Sequence, residues 1–268
     1  MVKIARFALP DGHIRYGLLE GSEVLRIIAG DIFGAWHPTD ERVALSAVRL
    51  LAPVAPPNIL AIGLNYRAHA RESGAALPER PVLFLKATTA LCHPGEPIVL
   101  PAVAPSEVDY ECELAIVIGK RAKRVSEAEA LDYVLGYTCA NDVSARDCQL
   151  RLDAQWARGK SFDTFAPLGP WIETDLDPDA APIRSRLNGI VMQESNTSDM
   201  IFSCRALISF LSQGMTLLPG TVIMTGTPSG VGFARKPPVF LKPGDVIEIE
   251  IDGIGTLRNP VVAEGQNA

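Results

Sequence analysis

Glu107-Val-Asp-Tyr-Glu-Cys-Glu-Leu-Ala-Ile-Val-Ile-Gly119 begins with an acid at every second residue and ends in an apolar run. The β-branched run at 114–118 predicts a strand. If its period of two extends back through the acids, all four carboxylates point to one face. Like charges two residues apart lie roughly 7 Å from each other and repel. This stretch therefore predicts a strand whose acidic end needs compensation.

The four acids Glu107, Asp109, Glu111 and Glu113 allow two interpretations. They could form an exposed acidic strand face. The apolar continuation instead indicates a buried strand end, where carboxylates need a partner. A cation bound between the last two acids is the simplest way to offset the repulsion between their charges. Ligands that offer only oxygen suit Mg²⁺, Mn²⁺ or Ca²⁺.

The composition is that of an ordinary globular protein, with 268 residues, 47% hydrophobic and 21% charged. The net charge is −6 and no block of five like charges occurs, which argues against nucleic-acid or membrane-surface partners. Five cysteines without a CxxC pair predict reduced thiols. Because no signal-peptide core and no apolar run near ~18 residues is found, we expect a cytoplasmic protein.

Turn and strand signals divide the chain near residue 56. Residues 4–9, 14–19 and 24–28 predict short strands, whereas 31–55 are less regular. The proline break Val54-Ala-Pro-Pro57 follows, so we predict a small N-terminal β module at 1–56 and a catalytic domain at 57–268. The module contains no constellation of polar residues, and we expect it to be structural.

The remaining chain predicts many short strands and a few helices. Strands are predicted at 59–63, 82–86, 137–142, 221–225, 246–251 and 256–262. Asn188-Gly189 predicts a type I′ hairpin. Helices are predicted at 66–73, from the capping box at Ser126 to about residue 134, and at 203–214, with a loop at 161–170. The predicted fold class is β-rich α+β.

The predicted helix at 66–73, with Asn65 as N-cap and Gly74 as its stop, carries His69 and Glu72 on one face. A carboxylate beside a histidine fixes its tautomer and makes it a general base. The alternative is a surface His–Glu pair.

Three further features are ambiguous when taken alone. Lys160 could be a solvated lysine, and Asp142 could be a turn or capping residue. The stretch Gly226-Thr-Pro-Ser-Gly-Val-Gly232 lacks a terminal Gly-Lys-Ser/Thr and contains Pro228, which excludes a P-loop. It is either a tight turn or a place where backbone amides and the Thr227 hydroxyl meet a small carboxylate.

Six motifs occur together over residues 58–262: Gly63-Leu-Asn-Tyr-Arg-Ala-His69, Asp109-Tyr-Glu-Cys-Glu113, Asn141-Asp-Val-Ser-Ala-Arg-Asp-Cys-Gln149, Gly159-Lys-Ser-Phe-Asp163, Met192-Gln-Glu-Ser-Asn-Thr197 and Gly226-Thr-Pro-Ser-Gly-Val-Gly232. In this order they resemble the fumarylacetoacetate hydrolase family. The resemblance implies a mixed β-sandwich roll as catalytic domain, a divalent metal held by carboxylates, and a homodimer.

The resemblance also implies roles for nine residues. The implied metal ligands are Glu111, Glu113 and Asp142. The implied substrate-binding residues are Arg146, Gln149 and Thr227. The implied catalytic residues are the water-activating dyad His69 and Glu72, and Lys160, which stabilises developing negative charge. The longer hydrolases that name the family have a further aspartate ligand near Asn65, so we expect three protein carboxylates here.

A site of this kind implies Mg²⁺ or Mn²⁺, with Ca²⁺ as a third option, and a small anionic 2-keto acid as substrate. We expect hydrolysis of the C3–C4 bond of a 2,4-diketo acid of the acylpyruvate type through a stabilised enolate. The alternatives on the same site are β-keto acid decarboxylation and isomerisation of a 2-hydroxy-dienoate. A non-catalytic, metal-stabilised binding protein is disfavoured by the combination of His69, Glu72 and Lys160.

Overall fold

The computed structural model describes residues 2–266, which form short strands and three α-helices. The strands are β1 (Lys3–Ala8), β2 (Ile14–Glu20), β3 (Val24–Gly30), β4 (Trp36–Ala44), β5 (Arg49–Leu51), β6 (Ile59–Gly63), β7 (Val82–Lys86), β8 (Leu91–Cys92), β9 (Ile98–Leu100), β10 (Val108–Asp109), β11 (Cys112–Ile118), β12 (Val134–Asn141), β13 (Ser144–Ala145), β14 (Ala166–Glu173), β15 (Pro182–Leu187), β16 (Ile190–Asn196), β17 (Val222–Met224), β18 (Val246–Ile251) and β19 (Gly255–Ala263). The α-helices are α1 (Arg67–Glu72), α2 (Ala157–Lys160) and α3 (Cys204–Gly214), and Cys148–Leu152 forms a π-helical turn.

Two mixed sheets form a sandwich. The larger has the order β4-β3-β2-β1-β14-β12-β11-β17-β6-β7, with β5 added beside β1 and β8 beside β14. The smaller has the order β16-β15-β18-β19-β9. Strands β11, β12 and β14 of the larger sheet pack against β15, β18 and β19 of the smaller one. The predicted β-rich α+β class, with a mixed β-sandwich, is confirmed.

Strand β11 lies in the interior of the larger sheet and every one of its residues is buried. It pairs antiparallel with β12 on one side and with β17 on the other. A strand covered on both faces has no polar side to alternate with, which explains its continuous apolar run. Each buried Leu, Ile or Val side chain contributes about 1.5–3 kcal/mol. The position of β11 therefore anchors Glu113 within it and the acidic residues just before it.

The N-terminal strands join the larger sheet through antiparallel pairing of β1 with β14. Residues 31–55, for which no regular strand was predicted, contain β4 and β5. Both strands are partly exposed, β4 is rich in polar residues and β5 has only three residues, so their pairing with β3 and β1 stabilises them more than their own pattern does. The loop predicted at 161–170 is wrong in its second half, because β14 begins at Ala166.

The turn and helix-cap signals were confirmed at two places in the chain and wrong at a third. The hairpin prediction is confirmed, since Asn188 and Gly189 both have positive φ between β15 and β16. Helix α3 is also confirmed, with the Ser203 side chain accepting the Ala206 N–H. The helix predicted from Ser126 is wrong, because that hydroxyl donates to Glu129 and only a short 3₁₀ turn, Ala130–Tyr133, follows. None of the helices within 2–266 is long and apolar enough to cross a membrane.

Candidate active site

The acidic stretch does not run as one continuous strand. Strand β10 ends at Asp109 and β11 begins at Cys112, so Glu111 lies in the break between them. The Glu111 N–H is donated to the Asn141 side chain at 2.9 Å instead of to a strand neighbour. Glu107 is partly exposed and pairs with Arg151 at 2.8 Å. The expected common face therefore does not extend to all four acids.

Glu111, Glu113 and Asp142 come together where β11 begins and β12 ends. Antiparallel pairing places Cys112 opposite Asn141, and the Asp142 N–H donates to the Glu111 carbonyl at 3.0 Å. One carboxylate oxygen from each of the three residues lies within 4.8 Å of the others, and all three residues are buried. The three predicted ligands are thus in one cluster.

The three carboxylates differ in their electrostatic surroundings. Burial, reinforced by the charges of Asp142 and Glu111, raises the pKa of Glu113 well above its usual range. Burial also opposes ionisation of Glu111, but Lys160, Arg146 and His69 outweigh it and hold its pKa below the usual range. Glu113 accepts the Gly226 N–H at 2.8 Å. A buried carboxylate with a raised pKa is the group that an added cation would stabilise most.

The donor set fits a hard divalent cation, since three buried carboxylates at this spacing offer only oxygen. Asn65 contributes nothing to the set and is not the N-cap of α1, which starts after Tyr66. Its side chain instead donates to the carbonyls of Phe202 and Thr225 and accepts the Phe202 N–H. Asn65 therefore ties two loops together, and the site has three protein carboxylates.

Two buried lysines approach Asp142 from opposite sides. Lys160, at the end of α2, donates to Asp142 at 2.6 Å and to Glu111 at 2.9 Å. Lys86, at the end of β7, donates to the other Asp142 oxygen and to the Val143 carbonyl. Burial would lower the pKa of Lys160, but Asp142 and Glu111 raise it overall. Burial and the neighbouring Lys160 lower the pKa of Lys86.

Arg146 and Gln149 lie beside the acidic cluster rather than at an open surface. The Arg146 guanidinium donates to Asp109 at 2.9 Å, to Glu111 at 2.6 Å and to the Gln149 side-chain oxygen at 2.8 Å. Three of its five N–H groups thus donate to protein acceptors, and Nη2 also lies 2.8 Å from Asp109 as an ion pair. Arg146 holds protein carboxylates first, and its role in binding substrate stays a prediction.

The loop at 226–233 closes the other side of the cluster. The Thr227 hydroxyl donates to the Cys112 carbonyl at 3.0 Å and accepts from Gln193 at 2.7 Å. Gln193, which is buried, also donates to Pro228 and accepts the Cys112 N–H. Because the hydroxyl proton of Thr227 is already donated within the protein, its predicted contact with a substrate carboxylate remains untested.

His69 and Glu72 form the predicted pair on α1, with the His69 Nδ1 at 3.2 Å from the Glu72 carboxylate. Glu72 also accepts the Gly230 N–H at 2.9 Å, which fixes the helix against the 226–233 loop. Since Nδ1 faces Glu72, Nε2 is the ring nitrogen available for chemistry. The same loop donates the Gly226 N–H to Glu113, so the His69–Glu72 pair and the acidic cluster contact one common segment.

A family model described as fumarylacetoacetate (FAA) hydrolase C-terminal matches residues 58–262, which is more than half of the 268-residue chain. The chain belongs to the fumarylacetoacetate hydrolase family. A second model, described as Rv2993c-like, N-terminal, matches residues 2–53.

Several relatives of this family member carry descriptive names. The oxaloacetate tautomerase fahd2 of Xenopus laevis, named as mitochondrial, is 49% identical over 222 residues, covering 81% of this chain and 69% of the relative. The crystal structure of 2-hydroxyhepta-2,4-diene-1,7-dioate isomerase from Mycobacterium marinum is 45% identical with a TM-score of 0.88, covering 99% of this chain and 100% of that one. That of 5-carboxymethyl-2-hydroxymuconate delta-isomerase from Mycobacterium smegmatis is 47% identical with the same TM-score, covering 98% and 100%.

Three residues beside the acidic cluster were assigned no role from the sequence: Lys86, Asp109 as a partner of Arg146, and Gln193. Lys86 had a usable signal, because a lysine that ends an otherwise apolar strand is rarely left buried without a carboxylate. Asp109 and Gln193 have partners far away in the sequence, and no local pattern identifies such contacts.

Proposed function

We propose that this protein catalyses the enol–keto tautomerisation of a small, anionic 2-keto acid of the oxaloacetate class, with Mg²⁺ or Mn²⁺ bound by Glu111, Glu113 and Asp142. The observation that carries the proposal is the His69–Glu72 pair standing next to a buried carboxylate cluster that also contacts Lys160. The names of the relatives, an oxaloacetate tautomerase and two isomerases, support the same reaction class.

The charges around the cluster favour an anionic substrate once a metal is bound. Four buried carboxylates face three buried cations: Asp109, Glu111, Glu113 and Asp142 against Lys86, Lys160 and Arg146. With all of them ionised, a divalent cation turns a net negative site into a net positive one. An acidic protein with a net charge of −6 thereby acquires a local attraction for a carboxylate.

A divalent cation held by Glu111, Glu113 and Asp142 would supply a Lewis acid for a keto oxygen of the substrate. The His69 Nε2, oriented by the contact between Nδ1 and Glu72, takes the proton from C3 of the keto acid. Lys160 stabilises the negative charge that develops on the 2-oxygen, and this oxygen then receives the proton held by the His69 imidazolium, which returns His69 to its neutral form. The net change moves one proton from C3 to the 2-oxygen, so atoms and charge balance.

Hydrolysis of a 2,4-diketo acid is the second candidate, because the same pair could instead deprotonate water that attacks the 4-carbonyl. Membership in a family that is named for a hydrolase favours hydrolysis, at the level of the family. β-Keto acid decarboxylation has weaker support, since it needs the electron sink but gives no role to His69 and Glu72. All three reactions produce an enolate, so product identification has to separate them.

The test is a substrate panel with purified protein that has been stripped of metal and then given Mg²⁺ or Mn²⁺. Loss of the enol ultraviolet absorbance of oxaloacetate should accelerate with metal, while 2,4-diketo acids are assayed beside it with products identified. His69→Asn should abolish the acceleration, and His37→Asn, a change at an exposed histidine, should not. No acceleration over buffer with either metal would reject the proposed reaction.

The assembly is part of the same proposal. We expect a homodimer, which light scattering coupled to size exclusion would measure. A monomer that retains full turnover would reject the dimer without touching the reaction.

A further inference from the structure

Asp109 is the most completely occupied carboxylate of the acidic stretch. It is fully buried, and one oxygen accepts the N–H groups of Tyr110 at 2.8 Å and of Gly232 at 2.7 Å. The other oxygen accepts the Phe233 N–H at 3.0 Å and faces Arg146 Nε at 2.9 Å. With four such donors, Asp109 has no free lone pair to offer a metal, and it is outside the cluster of three ligands.

The bonds of Asp109 join a loop to a guanidinium. Residue 232 has to be glycine for this, because a Cβ there would lie 1.9 Å from the Val239 carbonyl and 2.5 Å from Asp109. The next residue, Phe233, donates its N–H to Asp109 and places its ring 4.4 Å from the Arg146 guanidinium carbon. The backbone of Phe233 is thus fixed by Asp109 and its ring packs against the Arg146 guanidinium, which restricts the orientation of Arg146.

Arg146 in turn fixes one metal ligand. Its Nη2 donates at 2.6 Å to one oxygen of Glu111, while the second oxygen of Glu111 meets Lys160. A carboxylate held by one oxygen presents the other in a defined direction. The charge matters as well, since an uncompensated guanidinium beside Glu111 would repel a divalent cation and compete for the carboxylate.

We propose that Asp109 is a positioning residue for the metal centre: it neutralises and orients Arg146, and through Arg146 it presents Glu111 to the divalent cation. The inference rests on the metal site of the proposed function. The same loop also donates the Gly226 N–H to Glu113 and the Gly230 N–H to Glu72. Asp109 therefore anchors a segment that contacts a proposed ligand, the His69–Glu72 pair and Arg146.

The test is the affinity of metal-stripped protein for Mn²⁺, measured by isothermal titration calorimetry. Asp109→Asn keeps the shape of the side chain but cannot accept from all four donors, and we expect Mn²⁺ to bind about 10–100-fold more weakly. Glu107→Gln is the matched control, because it makes the same change two residues away where the partner is the surface residue Arg151. An affinity of Asp109→Asn equal to that of the control would overturn the inference.

A second variant keeps the inference testable if Asp109→Asn does not fold, as judged by circular dichroism. Phe233→Leu leaves the N–H bond to Asp109 and removes only the ring from Arg146, and we expect roughly fivefold weaker Mn²⁺ binding. Unchanged Mn²⁺ affinity in a folded Phe233→Leu protein would refute the proposed link between Arg146 and the metal site.

The titration of the unaltered protein separates this inference from the proposed function. If that protein binds no Mn²⁺, the metal site and the role of Asp109 fall together. If it binds Mn²⁺ but does not tautomerise oxaloacetate, the reaction is wrong while the positioning role is still decided by the variants.

Discussion

Lys86→Met removes one of the two buried ammonium groups that hold Asp142, and we expect it to destabilise the metal-free protein by about 3 kcal/mol. Breaking a buried ion pair by removing one partner typically costs about 3–5 kcal/mol, because the other charge stays buried. Asp142 keeps Lys160, and burial lowers the pKa of Lys86, so the lower end of that range applies. The Val143 carbonyl also loses its Lys86 donor.

Methionine suits the test because it fills a similar volume without the charge. In a chain of this size, about 3 kcal/mol lowers the melting temperature by roughly 6–12 °C. Thermal and urea unfolding of metal-stripped protein would measure this, with Lys120→Met, at an exposed lysine, as the control. Added Mg²⁺ should recover part of the loss, since a cation that binds only the folded state stabilises it.

The outcome can refute the reasoning in two ways. A Lys86→Met protein that unfolds like the Lys120→Met control would mean that Lys160 alone satisfies Asp142. A loss of stability that Mg²⁺ does not reduce at all would mean that the ion does not bind next to Asp142.

Three other outcomes are expected. Glu113→Gln should abolish Mn²⁺ binding in calorimetry yet stabilise the metal-free protein to urea at neutral pH; retained metal binding would remove Glu113 from the ligand set. Lys160→Met should lower kcat more than it raises KM, because its charge is needed in the transition state; an effect on KM alone would make it a binding group. Burial outweighs Glu96 and lowers the pKa of His93, whose Nδ1 accepts the Ala52 N–H at 3.1 Å, so the folded state favours the neutral ring. Stability to urea should therefore fall as the pH drops below about 6.5, and His93→Asn, which keeps an acceptor, should reduce that fall; an unchanged pH dependence would exclude His93 as its source.

The parts of the fold that were predicted correctly have signals within a few residues. The β-branched apolar run before Gly119 predicted a strand, and Asn188-Gly189 adopts two positive φ values that few other residue pairs tolerate. The Ser203 cap needs only a backbone N–H from the first turn of the helix that it begins. In each case the stabilising contact either lies within a few residues or follows from burial alone. Sequence patterns indicate both kinds of contact.

The failures have distant causes. The strand break before Cys112 depends on Asn141, which accepts the Glu111 N–H from thirty residues away. The Ser126 box has the right spacing for a cap, but its hydroxyl donates to Glu129 and the next turn tightens into a 3₁₀ helix. The clustering of Glu111, Glu113 and Asp142 was implied by family resemblance, because the acids' own spacing could not specify a ligand on another strand.

The three candidate ligands are unequal, and this indicates what a metal would contribute. Asp142 meets two lysines and Glu111 meets Lys160 and Arg146, whereas Glu113, within residues 2–266, accepts a backbone N–H and forms no ion pair with lysine or arginine. A raised pKa in the folded state means that ionising Glu113 destabilises the metal-free protein as the pH rises above the ordinary glutamate value. The side-chain cations thus compensate two of the candidate ligands, and the third is the one that a divalent ion would compensate. This arrangement would lower the stability of the metal-free protein and raise its affinity for a metal. It predicts that Glu113, which forms no ion pair with lysine or arginine within residues 2–266, depends most on the divalent ion.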